Sequence, residues 1–365
     1  MRDLRIFSLI CVVLGGMGQG VIAPKLPELF DKSTKLAFDS GISATLMYLG
    51  IFLSTFTYGK LADEGKVHWL LSPGLIVYSL ILVLLGVTHS TVGLFFLRFL
   101  EGLAISAVFV AADFILGRLS EKNVRGQWLS YYGVALSIGL LLGPMIALFF
   151  HSPLRPLLIV ASVTFIFGLL AHNRKVPRIG NISRTKTKLK YAPLIVGSAY
   201  GYLEASLVAV FPVLALTDFQ VTPEYCLVAV IISAALSSVF WGIFSDKFGS
   251  ERTVITLLIT LLFGSLLFFL EGNHIPKLYM AFLSCSLFGI TAGGLYTAGF
   301  SWLLKTLPES QYGYASGAFA RAYGIGSLMG PLLTGILAQQ LASKGLFLSI
   351  AMSTAFCFLF ILKLR

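Results

Sequence analysis

Charge is scarce in this chain. Asp, Glu, Lys and Arg make up 12% of its 365 residues, about half the share of a soluble domain. Acids are scarcer than bases, 16 against 27, so the formal net charge is +11. A soluble globular enzyme is excluded on composition. The 5 histidines are scattered near the ends of apolar runs. No zinc-ligand spacing, nucleotide-binding Gly loop or nucleophile–base pattern occurs, so no catalytic residue, metal or cofactor is expected. The 4 cysteines, Cys11, Cys226, Cys285 and Cys357, all fall inside apolar runs and read as small buried residues. In a chain this apolar, surplus Lys and Arg belong in cytoplasmic loops, so no nucleic-acid partner is expected.

What the chain has in excess is hydrophobic residues, 57% of the total, gathered in long runs. A membrane span needs about 20 largely apolar residues. Spans are expected at 4–27, 41–62, 70–88, 92–117, 127–150, 154–171, 193–216, 224–245, 252–271, 277–304, 313–341 and 343–363. Arg2 and Arg5 followed by Ile6–Leu14 have the look of a signal peptide. The apolar character continues through Ala23 without a cleavage site, so this is a first transmembrane helix. The fold class that follows is an all-α polytopic membrane protein of twelve transmembrane helices, solvated by the lipid bilayer.

One connection stands apart. His172–Tyr191 carries Arg174, Lys175, Arg178, Arg184, Lys186, Lys188 and Lys190 and no acid. It separates six spans from six. The expected domains are an N-terminal six-helix bundle at 1–171, a basic cytoplasmic linker at 172–192 and a C-terminal six-helix bundle at 193–365. With six spans on either side of a cytoplasmic linker, both termini are cytoplasmic too.

The two halves echo each other. Ile138-Gly139-Leu140-Leu141-Leu142-Gly143-Pro144 returns as Ile325-Gly326-Ser327-Leu328-Met329-Gly330-Pro331. At the same offset Gly102 meets Gly289, Arg118 meets Lys305 and Gly126 meets Gly313. At a nearby offset Gly16 meets Gly201, Gln19 meets Glu204 and Pro27 meets Pro212. Two Gly four residues apart admit a second helix closely, and the Pro that follows removes a backbone donor. Two related halves are the pattern of an alternating-access transporter with its site near mid-membrane.

Two loops carry a resemblance to a family. The one after the eighth span reads Gly242-Ile243-Phe244-Ser245-Asp246-Lys247-Phe248-Gly249-Ser250-Glu251-Arg252. The one after the second reads Gly59-Lys60-Leu61-Ala62-Asp63-Glu64-Gly65-Lys66, with Glu64 where a base is usual. They resemble the G-x-x-x-D-(R/K)-x-G-x-(R/K)-(R/K) loop of the major facilitator superfamily. Arg98-Phe99-Leu100-Glu101-Gly102 resembles that family's R-x-x-x-G element, and the span-five motif resembles the G-x-x-x-G-P core of its exporters. Asp113 and Gly201-Tyr202-Leu203-Glu204 resemble a branch of bacterial permeases. The resemblance implies gating roles for Gly59, Asp63, Arg118, Gly242, Asp246, Lys247, Gly249, Arg252, Gly139, Gly143, Pro144, Gly326, Gly330 and Pro331.

Ionisable residues inside spans are costly, and each is a candidate for function. Glu204 stands mid-span among Ala, Leu and Val; it is either a proton or substrate site, or a protonated residue bonded to a neighbouring helix. Arg98 and Glu101, spaced i, i+3, can pair on one helix face; the pair either positions the fourth span or tunes a proton site. Asp113 either pairs with Arg118 or serves coupling. Arg321 either binds an anionic group or snorkels to the interface. Gln19, Tyr131, Tyr132, Tyr200, Tyr202 and Tyr296 are candidates for lining a substrate cavity, since a Tyr hydroxyl needs a partner.

The expected function is proton-coupled export of a small amphipathic compound by a monomer in a bacterial inner membrane. Uptake by symport or uniport, lipid or lysolipid flipping, and a non-transporting receptor or membrane enzyme are the alternatives.

Overall fold

Apolar residues surround each long segment of this chain rather than striping one face, as expected where lipid and other helices are the only neighbours. With no water to take up backbone polar groups, such segments close their hydrogen bonds as helices. A computed structural model describes residues 2–30, 34–64, 66–118, 125–172, 190–271, 275–307 and 312–364. Among these, twelve long helices follow in order. They are α1 (Arg2–Leu29), α2 (Leu36–Asp63), α3 (His68–Val87), α4 (Thr91–Arg118), α5 (Arg125–Ala147), α6 (Leu154–His172), α7 (Tyr191–Ala209), α8 (Pro223–Phe248), α9 (Ser250–Leu270), α10 (Lys277–Lys305), α11 (Tyr312–Leu341) and α12 (Ser343–Lys363). Ten of them are long and apolar enough to cross a membrane among the described residues. The twelve long helices stand where the hydropathy runs place the expected spans.

The seventh span differs from expectation. It breaks at Val210, resumes at Phe211–Leu214 and ends in one wide π-helical turn, Ala215–Phe219. Pro212 has no N–H to give the carbonyl of Val208, so the ladder must reset there. The wide turn closes with Val221 N–H donating to the Ala215 carbonyl at 2.7 Å. It carries Asp218 to the start of α12, where Oδ2 accepts the backbone N–H of Ser343 at 3.0 Å.

The chain forms two units. One takes the residues up to Leu29 and from Leu46 through α6; the other takes Phe30–Thr45 and everything from α7 onward. The first part of α2 therefore belongs with the C-terminal helices. There Thr45 Oγ1 donates to the Leu328 carbonyl of α11 at 3.2 Å.

The repeated motif explains the packing inside each unit. In the first, α5 lies on α1 so closely that a Cβ on Gly16 would meet the Leu136 carbonyl at 2.8 Å, and one on Gly20 the Leu140 carbonyl at 2.7 Å. In the second, α11 lies on α7 the same way: a Cβ on Gly330 would meet the Tyr202 carbonyl at 2.5 Å and Ser206 Oγ at 2.8 Å. Gly102 of α4 seats against Met47 of α2, and Gly289 of α10 against Val230 of α8. The two units thus reuse one set of helix contacts. Phe268, Phe288 and Phe347 meet at centroid distances of 5.3–6.2 Å and fill the second unit's core between α9, α10 and α12. All four cysteines are buried, and none of them forms a disulfide among the described residues.

Candidate functional site

In the second unit, Glu204 and Tyr200 stand four residues apart on α7 and so share a face. Tyr323 of α11 reaches the same place, because the close Gly201–Tyr323 backbone contact draws the two helices together. The hydroxyls of Tyr200 and Tyr323 both donate to the half-buried Glu204 carboxylate. Around it the rings pack: Tyr200 on Tyr323 at 5.5 Å and on Tyr296 of α10 at 5.3 Å. Tyr296 stacks in turn on Phe300 at 6.2 Å and meets Phe319 edge-on at 6.0 Å. Among the described residues no Lys, Arg or His forms an ion pair with Glu204.

Tyr202, expected beside them, is turned the other way. Two residues from both Tyr200 and Glu204, it falls on another face of α7 and is buried. Its hydroxyl joins Ser349 Oγ at 2.5 Å. Ser349 bonds Thr334 at 2.7 Å, and Thr334 donates to Ser206 Oγ at 3.0 Å. That buried hydroxyl chain fastens α7, α11 and α12 to one another. Arg321 is exposed on α11 and forms no ion pair among the described residues.

In the first unit, Arg98 and Glu101 form the expected pair on α4, Nη1 to Oε2 at 2.5 Å, with side chains 6% and 0% exposed. The other carboxylate oxygen, Oε1, is buried and has no hydrogen-bond partner among the described residues. Tyr78 of α3 lies within electrostatic reach of both charges and donates its hydroxyl to the Gly15 carbonyl of α1 at 3.1 Å. Gln19 is half-buried on α1. Tyr132 meets Phe109 edge-on at 6.3 Å, and Tyr131 meets Trp128 at 5.6 Å, with the Arg5 guanidinium 4.4 Å above that indole. Asp113 is exposed on α4. The side chain of its expected partner Arg118 lies outside the described residues.

The loop after α8 is held from α10. Lys305 Nζ stands 3.4 Å from Asp246 Oδ1 and donates to Ser250 Oγ at 3.1 Å. Ser250 accepts from Ser245 at 2.8 Å. Gly249 turns the chain at φ +94°, a backbone region open to glycine at little cost. Gly242 has open space around it, and so has Gly59 in the first half. Lys247 lies over the Phe248 ring at 5.6 Å, and Arg252 is exposed. The Asp63 side chain lies outside the described residues. Pro144 and Pro331 sit inside α5 and α11, directly after the glycine contacts.

Comparison with known proteins agrees with this architecture. The pattern of the Major Facilitator Superfamily matches residues 8–222 and 193–365. The MFS-type transporter YfkF of Bacillus subtilis (strain 168) is 27% identical over 97% of this chain and 93% of its own. Multidrug resistance protein 2 of the same organism is 21% identical over 92% and 89%. Among solved structures, an inward-facing, occupied bacterial homologue of the human lysosomal transporter Spinster superposes with a TM-score of 0.79 at 14% identity, covering 100% of this chain and 95% of that one. The nucleoside transporter NupG superposes with a TM-score of 0.73 at 14% identity, over 99% and 97%. The chain belongs to the Major Facilitator Superfamily. It is an integral membrane protein of a transporter family and not an enzyme.

Proposed function

We propose that the protein is a secondary active exporter that moves a small amphipathic organic compound out of the cell in exchange for protons. It works as a monomer in a bacterial inner membrane by alternating access, with the basic linker and both termini in the cytoplasm. The observation that carries this reading is Glu204: a carboxylate in the middle of an apolar helix, held by two tyrosine hydroxyls and by no ion pair among the described residues. Such a group changes charge when it takes a proton, and the two conformations of a transporter differ in how they expose it to water. A tenfold difference in proton affinity between the two states is worth about 1.4 kcal/mol and shifts their populations tenfold. The relative named for multidrug resistance supports the export direction at 21% identity.

The test uses proteoliposomes with a pH-sensitive dye trapped inside. A panel of amphipathic compounds is added to vesicles acidified within. Compound-triggered proton movement that needs the protein supports the reading. A cargo transported with no proton movement contradicts it.

A further inference from the structure

Helices α8 and α10 run parallel and keep one register along their contact. Along α8, Cys226, Val230 and Ala234 follow one another every four residues; along α10, Cys285, Gly289 and Gly293 do the same. At the second step of this seam a Cβ on Gly289 would stand 2.5 Å from the Val230 carbonyl oxygen and 2.8 Å from Ser233 Cβ. At the third, a Cβ on Gly293 would run into the Ala234 carbonyl. Ser237 Oγ donates across the seam to the Ile290 carbonyl at 3.1 Å. The same register brings Asp246 to Lys305 at the far end.

The first step of the seam is Cys226 beside Cys285. The two thiols lie within hydrogen-bonding reach of each other. Both are fully buried and both are reduced. A disulfide needs Cα atoms about 4.4–6.8 Å apart and side chains that face each other. Backbones drawn together by a glycine contact one turn away, with the two sulfurs already neighbours, meet both needs. With the linker in the cytoplasm, as proposed above, α8 and α10 both begin on the outer side of the membrane, where disulfides persist. The other two cysteines stand apart: Cys357 Sγ points to the Ile195 carbonyl, 3.9 Å away, and Cys11 belongs to the first unit.

We infer that Cys226 and Cys285 form a modification site, a thiol pair that hydrogen peroxide converts to a disulfide between the starts of α8 and α10. Peroxide is small and uncharged, so it enters an apolar seam that excludes charged thiol reagents. One sulfur attacks a peroxide oxygen and the O–O bond breaks, giving a sulfenic acid; the thiol proton leaves with the departing hydroxide as water. The second sulfur attacks the sulfenic sulfur, the S–O bond breaks, and its proton leaves with that hydroxide as a second water. Each sulfur gives up one electron and the peroxide takes both. The bond fixes the two helices at this end, as Asp246 and Lys305 hold them at the other. It also constrains the unfolded chain, so the oxidised protein is the more stable form.

The test treats purified full-length protein, fully reduced beforehand, with hydrogen peroxide. Thiols are then counted after denaturation, and peptides are mapped without reductant. Two of the four thiols should be lost, in one cross-linked peptide pair joining Cys226 to Cys285, with the protein lighter by two hydrogens. Dithiothreitol should restore all four. Oxidation should raise the melting temperature of the parent protein by several degrees, and should not do so in Cys226→Ala. The peptide map comes from the parent protein alone, so it stands whether or not the variant folds. Survival of all four thiols at a peroxide dose that oxidises glutathione overturns the pairing. So do sulfinic or sulfonic acids in place of the cross-link, or a cross-link that includes Cys11 or Cys357. A cross-link that leaves the melting temperature unchanged or lower contradicts the tie between the helices.

Discussion

Lys305, the last residue of α10, stands 3.4 Å from Asp246 at the end of α8. Arg118 and Asp63 hold the equivalent sequence positions in the first half. The side chains of the pair are 51% and 79% exposed, so as a static ion pair it adds little to stability. Its expected use is in the cycle, where making and breaking it biases one conformation. Asp246→Asn should leave the melting temperature nearly unchanged and slow transport several-fold, more than Asp63→Asn does, because the second loop keeps more of the family pattern. Melting curves and initial rates on both variants check this. Equal and mild rate effects would remove the latch from the mechanism.

Helix contact at the repeated motif predicts a sharp contrast between glycines. A side chain at Gly143 or Gly330 would run into the backbone of α1 or α7. Gly143→Val and Gly330→Val should each cost about 1–3 kcal/mol or more, since backbone cannot step aside as a side-chain tip can. Gly133 lies in α5 with open space around it, so Gly133→Ala should be neutral or stabilising by up to about 1 kcal/mol. Thermal unfolding of the purified variants distinguishes the two groups.

The Arg98–Glu101 pair is fully enclosed by protein. Removing either partner breaks a buried ion pair, at a cost of about 3–5 kcal/mol. Arg98→Met and Glu101→Gln are therefore each expected to lower stability strongly, and the double variant to recover much of it. Transport by the double variant then separates the roles: coupled transport marks a positioning pair, and stable but uncoupled protein marks a pair that tunes proton binding.

Much of this architecture is legible in the sequence, for identifiable reasons. Spans of about 20 apolar residues announce themselves. The Gly139–Gly143 and Gly326–Gly330 pairs mark helix contacts that the structure makes with the α1 backbone around Met17 and the α7 backbone at Tyr202. The break in the seventh span was signalled by Pro212 but hidden by unbroken hydrophobicity on either side of it. Tyr202 and Tyr200 look alike in sequence, yet two residues of helix put them on different faces; counting from Glu204 would have separated them. Tyr323 and Phe319 could not be found that way. They reach the Glu204 group only because α11 packs on α7, a contact between residues distant in the chain. Asp218 is legible only once the wide turn that aims it at α12 is known.

Orientation is tested by labelling. The four native cysteines are buried and should stay silent to a membrane-impermeant thiol reagent. Lys186→Cys, in the basic linker, should react in inside-out vesicles and not in intact cells. Reaction from outside intact cells would invert the topology.

The central claim is that Glu204 carries the coupling proton, and Glu204→Gln tests it most directly, since the amide keeps the shape of the protonated carboxyl and cannot ionise. The measurement is cargo accumulation in proteoliposomes under an imposed pH gradient, beside exchange of labelled for unlabelled cargo with no gradient. The account predicts that Glu204→Gln abolishes gradient-driven accumulation while exchange continues. Accumulation by Glu204→Gln equal to that of the parent protein would contradict it and move the coupling site elsewhere, first to Asp113.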